Sequence, residues 1–107
     1  GSLEQEQMRV ILLDTKNKVI HTTTVYQGSV HTTVIRVGGL MKAAVRINAT
    51  AMVIAHNHPS GDPTPSRADI QMTQAIVEVA KPLGIAVHDH LVIGRSGHAS
   101  FKSLGLL

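Results

Sequence analysis

The chain contains no cysteine and no tryptophan, and Tyr26 and Phe101 are its only aromatic residues. Without cysteine there can be no disulfide framework and no thiolate zinc knot, so any metal site has to be built from histidine and carboxylate. The same absence fits a reducing compartment, and a cytoplasmic location is the expectation. With so few aromatics there is no platform on which nucleic-acid bases could stack. Acidic residues are scarce as well, seven against ten lysines and arginines. No apolar run reaches the ~18 residues of a membrane helix, and no segment has the basic start and apolar middle of a signal peptide, so no membrane role is expected.

What is present describes one ordered module. A length of 107 residues, 43% apolar and 16% charged content and a mean hydropathy of +0.13 suit a single domain with a single core and little charge to spare for disordered tails. Gly1-Ser2 reads as a remnant of tag removal, which leaves residues 3–107 as the domain. The net charge of +3 and pI of about 9.7 permit binding to an anionic partner such as nucleic acid. Support for that is weak, because the basic residues are scattered from Arg9 to Lys102 without a run.

Patterning gives the order of elements. "QMRVILLD" (Gln7 to Asp14), the turn signal "DTKNK" and the β-branched "VIHTTTVYQG" predict a hairpin, and "VHTTVIRV" (Val30 to Val37) predicts a third strand after a break at Gly28. "GLMKAAVRIN" predicts a short helix with Leu40, Ala43/Ala44 and Ile47 on its inner face. The apolar "TAMVIA" (Thr50 to Ala55) predicts a buried central strand leading directly into His56. "SRADIQMTQAIVEVAKPLG" predicts a helix with Ile70, Thr73, Val77 and Ala80 inward, ended by Pro82 and Gly84. "IAVHDHLVIG" predicts another strand, "GHASF" a short last one and "KSLGLL" a terminal turn. Together they predict an α/β fold, a single-domain mixed β-sheet with helices packed on it.

The chemistry concentrates in "AHNHPSGDPTPSRAD", Ala55 to Asp69. His56 and His58 stand at i and i+2 at a strand end, so both imidazoles can face one ion. The Gly/Pro-rich loop can fold the chain back and bring Asp69, in the first turn of the next helix, to the same point. Two neutral imidazoles and one carboxylate suit zinc, and three protein ligands leave a tetrahedral position for water, the arrangement of a catalytic site. Ser66-x-x-Asp69 also reads as a capping box, and the two readings are compatible, since a capped first turn fixes where Asp69 points. Asp62, inside the loop, is an alternative ligand or a turn residue. A general base must come from Glu4, Glu6, Asp14, Asp62, Glu78 or Asp89. Glu78 lies roughly 13 Å along the helix from Asp69 and is poorly placed.

At these residues the sequence resembles the JAMM (JAB/MPN+) metalloprotease domain family in its RadC-like branch. His56, His58, Pro59, Ser66 and Asp69 fall on the family's His-x-His-Pro, six residues, Ser, two residues, Asp pattern. "AHNHPSGDPTPS", "EQMRVILLDTKNKVI" and "DHLVIG" resemble that branch over nearly the whole chain. The resemblance implies a JAB/MPN-like, cytidine-deaminase-like α/β sandwich, one Zn²⁺ per chain on His56, His58 and Asp69, Ser66 helping to hold an oxyanion, and Glu6 as base with Glu4 as the fallback. One departure stands out: Gly38-Gly39 occupies the place of an Arg-Glu pair usual in RadC-like domains. The helical N-terminal region of full-length relatives is also missing, so an excised domain or a short family member is expected. The family's name points to DNA repair, but nothing in these residues argues for that role.

The implied function is zinc-dependent hydrolysis of a peptide or isopeptide bond, with a protein tail as a conceivable substrate. A RadC-like module that binds DNA or a protein without turnover is the alternative, and a third reading exchanges zinc for the Fe(II) of an oxygenase. His88-Asp89-His90 is a second His-x-His for which a structural role is expected, with Asp89 or His90 orienting a ligand. His21, His31 and His98 read as ordinary polar residues.

Overall fold

The computed structural model describes residues 5–28 and 37–107. Its elements are β1 (Glu6–Leu13), β2 (Val19–Gly28), α1 (Val37–Arg46), β3 (Ala51–Asn57), α2 (Arg67–Ala80), β4 (Ala86–Gly94) and β5 (Gly97–Ser100). The strands form one mixed sheet in the order β2-β1-β3-β4-β5, in which β3 and β4 run parallel and the other neighbours antiparallel. Among the described residues no helix is long and apolar enough to cross a membrane.

Period-2 alternation creates the core. Met8, Val10 and Leu12 of β1 stand opposite His56, Ile54 and Met52 of β3, so these six side chains share one face of the sheet. All six are buried, and α1 (Leu40, Met41, Ala44) and α2 (Ile76, Ala80) close over the apolar five. Asp14 Oδ1 accepts the main-chain N–H groups of Lys16 and Lys18 at 2.8 and 2.9 Å, which closes the β1–β2 turn and sets that register.

The hairpin, the central strand, the last two strands and the terminal turn lie where the sequence predicts them. Helix α1 starts earlier than expected, at Val37, and Ile47 lies beyond its end and is exposed, while Met41 is buried instead. β2 ends at Gly28, which pairs with Glu6, where the sequence sets its break. The expected third strand, Val30 to Val37, falls on residues 30–36, which lie outside the described residues, and on Val37, which opens α1 instead. In α2 the inward stripe is Asp69, Thr73, Ile76 and Ala80, displacing Ile70 and Val77 to its margins. The reason is the carboxylate at the helix start, which the cap and two imidazoles turn inward and which sets the rotation of the helix.

Pairing of β3 with β4 slips by one residue between Met52 and Val53. Met52 stands opposite Val87, but Val53 opposite Asp89 and Ile54 opposite His90. The extra residue inverts the alternation of β4, so His90 and Val92 face the core while Asp89 faces away.

Candidate metal centre

The centre lies at the carboxyl end of β3, on the face covered by α2. His56, 2% exposed, continues the buried row of Met52 and Ile54. His58 follows the strand, held by its main-chain N–H to Ile93 O at 2.9 Å. The loop then doubles back: Gly61 N–H donates to His58 O, and Arg95 N–H donates to Gly61 O. Gly61 has φ +94°, a conformation suited to glycine, and a side chain on Gly94 would run into Gly61 O. Two glycines thus let the loop lie against the end of β4.

Ser66 caps α2. Its Oγ accepts Asp69 N–H at 3.0 Å, and Asp69 Oδ2 accepts Ser66 N–H at 2.8 Å, a reciprocal capping box. The cap aims the Asp69 carboxylate at the histidines: Oδ2 is 2.9 Å from His58 Nε2 and Oδ1 3.2 Å from His56 Nε2. The two Nε2 atoms are 2.9 Å apart. Burial pushes the Asp69 carboxyl up, but its contact with the His56 imidazole and the hydrogen bond from Ser66 N–H outweigh it and hold the group well below the usual carboxylate range.

The two imidazole nitrogens thus stand 2.9 Å apart, each faced by its own Asp69 oxygen, at 2.9 Å for His58 and 3.2 Å for His56. Ligand atoms about 2.0–2.1 Å from a tetrahedral zinc stand roughly 3.3 Å from one another, and each of these spacings lies within a few tenths of an ångström of that value. Tautomer agrees with this at His58. Its Nδ1 lies 2.9 Å from Asp62 O, a carbonyl that only accepts, so Nδ1 carries the hydrogen and Nε2 of the neutral ring offers its lone pair.

Glu6 approaches the same imidazoles from β1. It is buried, lies on the Met8 face, and one ligand atom of each of Glu6, His56 and His58 lies within 4.8 Å of the other two, so these three could hold a metal ion. The β1–β2 ladder runs on to the Glu6–Gly28 pair, whereas the β1–β3 ladder ends at Met8–His56, and beyond that point Asn57 takes over on the β3 side. Asn57 Oδ1 accepts Gln7 N–H at 2.7 Å, and its Nδ2 donates to Gln5 O at 3.1 Å, clamping the backbone on both sides of Glu6.

The structure therefore brings Glu6, His56, His58, Ser66 and Asp69 to one place. Glu4 and His31 lie outside the described residues. Asp62 is turned away: its side chain accepts from Thr64 N–H and Oγ1, and only its main-chain oxygen meets His58. His88 pairs with Asn17, and Asp89 accepts from Ser100 Oγ and Lys102 N–H, which fastens the turn after β5. His21 and His98 are exposed.

His90 is the inward member of the second His-x-His and is fully buried. Its Nε2 lies 2.7 Å from His56 Nδ1 and its Nδ1 2.6 Å from Thr73 Oγ1, with Phe101 stacked on the ring at 4.3 Å and 12°. Burial, reinforced by His56 as a like charge, pushes the His90 imidazole down to about 3. Sequence reasoning left Asp89 and His90 open as ligand-orienting residues and read Thr73 as core. Thr73 carries no signal beyond its helical spacing from Asp69.

Fold and site together define a mixed-sheet α/β domain with a candidate metal centre at the end of a central strand. The model of the RadC-like JAB domain matches residues 1–106, and the chain belongs to that family. It is 49% identical over 104 residues to a "UPF0758 protein" of Roseiflexus sp. and 50% identical over 104 residues to one of Chloroflexus aurantiacus. Each match takes in 97% of this chain and 45% of the relative, so the chain spans less than half the length of these proteins.

Proposed function

We propose that this domain is a zinc-dependent hydrolase of the JAMM type that cleaves a peptide or isopeptide bond. The observation that carries the reading is the convergence of His56 Nε2, His58 Nε2 and the Asp69 carboxylate, whose two oxygens each face one imidazole from a capped helix. These three residues would hold the metal. Bound there, zinc supplies a Lewis acid that acidifies water and polarises a carbonyl.

The remaining residues divide the proton chemistry. Glu6 takes a proton from the attacking water and returns it to the leaving nitrogen, a role for which its approach to both imidazoles suits it. Ser66 Oγ accepts from Asp69 N–H, which leaves its hydroxyl hydrogen to donate to the oxygen on which charge develops. A second reading makes Glu6 the carboxylate ligand, since it also reaches the histidine pair.

Zinc-loaded wild type, Glu6→Gln and Asp69→Asn, each offered a library of peptides and isopeptide-linked peptides, separate these readings. Cleavage by wild type alone, with zinc kept in Glu6→Gln and lost in Asp69→Asn, is expected. Full turnover by Glu6→Gln overturns its role as base, and loss of zinc from Glu6→Gln but not from Asp69→Asn favours Glu6 as ligand.

A further inference from the structure

We propose that His90 and Thr73 are positioning residues that hold His56 in the tautomer able to bind an ion through Nε2. This rests on the reading of His56 as a metal ligand and extends it to two residues outside the motif. A neutral His56 that binds through Nε2 keeps its one hydrogen on Nδ1, which faces His90 Nε2 at 2.7 Å. A ligating histidine needs such an acceptor for its other nitrogen, and outer partners of this kind set ring orientation and ligand basicity. His90 can accept there as a neutral ring only if its own hydrogen sits on Nδ1, and Nδ1 faces Thr73 Oγ1 at 2.6 Å.

Thr73 completes the chain. Its hydroxyl takes the His90 hydrogen on a lone pair and donates its own to the main-chain oxygen of Asp69 at 2.9 Å, an acceptor that cannot reverse the direction. The chain from His56 Nδ1 thus closes on the backbone of the residue whose carboxylate faces His56 Nε2. Each link has a donor and an acceptor, and among the described residues no buried side-chain nitrogen or oxygen lacks a partner. Phe101 fixes the plane of the His90 ring, and the slip in β4 register is what places that ring inward.

The test uses zinc affinity, by chelator competition, together with imidazole ¹⁵N spectra of the zinc-loaded chain. Thr73→Val keeps the shape but removes the hydroxyl, and should weaken zinc binding roughly 10–100-fold, while Thr73→Ser stays near wild type. His90→Leu should lose a similar factor and His90→Gln, which restores an acceptor toward His56, should regain part of it. In wild type, Nδ1 of both His56 and His90 should carry a hydrogen. Wild-type affinity in Thr73→Val and His90→Leu, or a bare His56 Nδ1 in the loaded protein, overturns this proposal and leaves the metal-site reading intact. Failure of wild type to take up zinc overturns both.

Discussion

Asp69 Oδ2 accepts the main-chain N–H of Ser66 at 2.8 Å and lies 2.9 Å from His58 Nε2, so one carboxylate oxygen both closes a helix and faces an imidazole. Ser66→Ala removes the hydroxyl acceptor for Asp69 N–H but leaves the main-chain donor in place. It should cost about 1 kcal/mol of stability, read from the denaturant midpoint, and leave zinc content unchanged. Loss of zinc would show that the hydroxyl is needed to aim the carboxylate.

Gly94 packs directly on the loop that carries His58, and Gly94→Ala sets a methyl group against Gly61 O. The loop must move or the strand end must yield, at about 1–3 kcal/mol. Zinc affinity should fall with stability, because Gly61 is tied to His58. Unaltered unfolding and metal uptake would show that the close approach has no consequence for the site.

Asn57 stands between the two histidines and grips the strand on both sides of Glu6. Asn57→Ala should speed hydrogen exchange at Gln7 N–H, consistent with a lost hydrogen bond of about 1 kcal/mol. Unchanged protection of that amide would mean that the strand start is held without the clamp.

Acid should destabilise the metal-free protein earlier than carboxylate titration alone would. Unfolded histidine titrates near 6.5 and native His90 near 3, so between these values the unfolded chain binds the extra proton and stability rises with pH. Falling pH therefore removes stability across this window, by up to about 1.4 kcal/mol per unit. Asp69, held low in the fold, adds a loss of the same sign below about pH 4. Urea midpoints of His90→Gln should show a shallower slope between about pH 6 and 4 than wild type. Equal slopes would mean that native His90 titrates like an unfolded histidine.

The motif was legible in sequence because its logic is local: a strand end sets His56 and His58, a Gly/Pro loop turns the chain, and a capping box presents Asp69. The strands were legible through alternation, β2 to its exact bounds. Choosing between Asp89 and His90 was not possible, because one extra residue opposite β3 decides which faces inward. The inward turn of Asp69 shifted the buried stripe of α2 away from the apolar positions on which the expected face was built. Placing Glu6 from its own strand required the cross-strand register, which no spacing reveals. Thr73 acts through a partner on a distant strand, so its neighbours in sequence do not announce it.

Elemental analysis of the purified domain after zinc is offered and excess removed, with Asp69→Asn in parallel, tests the central claim most directly. About one zinc per chain in wild type, lost in Asp69→Asn, is the predicted result. No zinc in either protein would leave the His56, His58 and Asp69 cluster as a helix cap with hydrogen-bonded imidazoles and contradict the account.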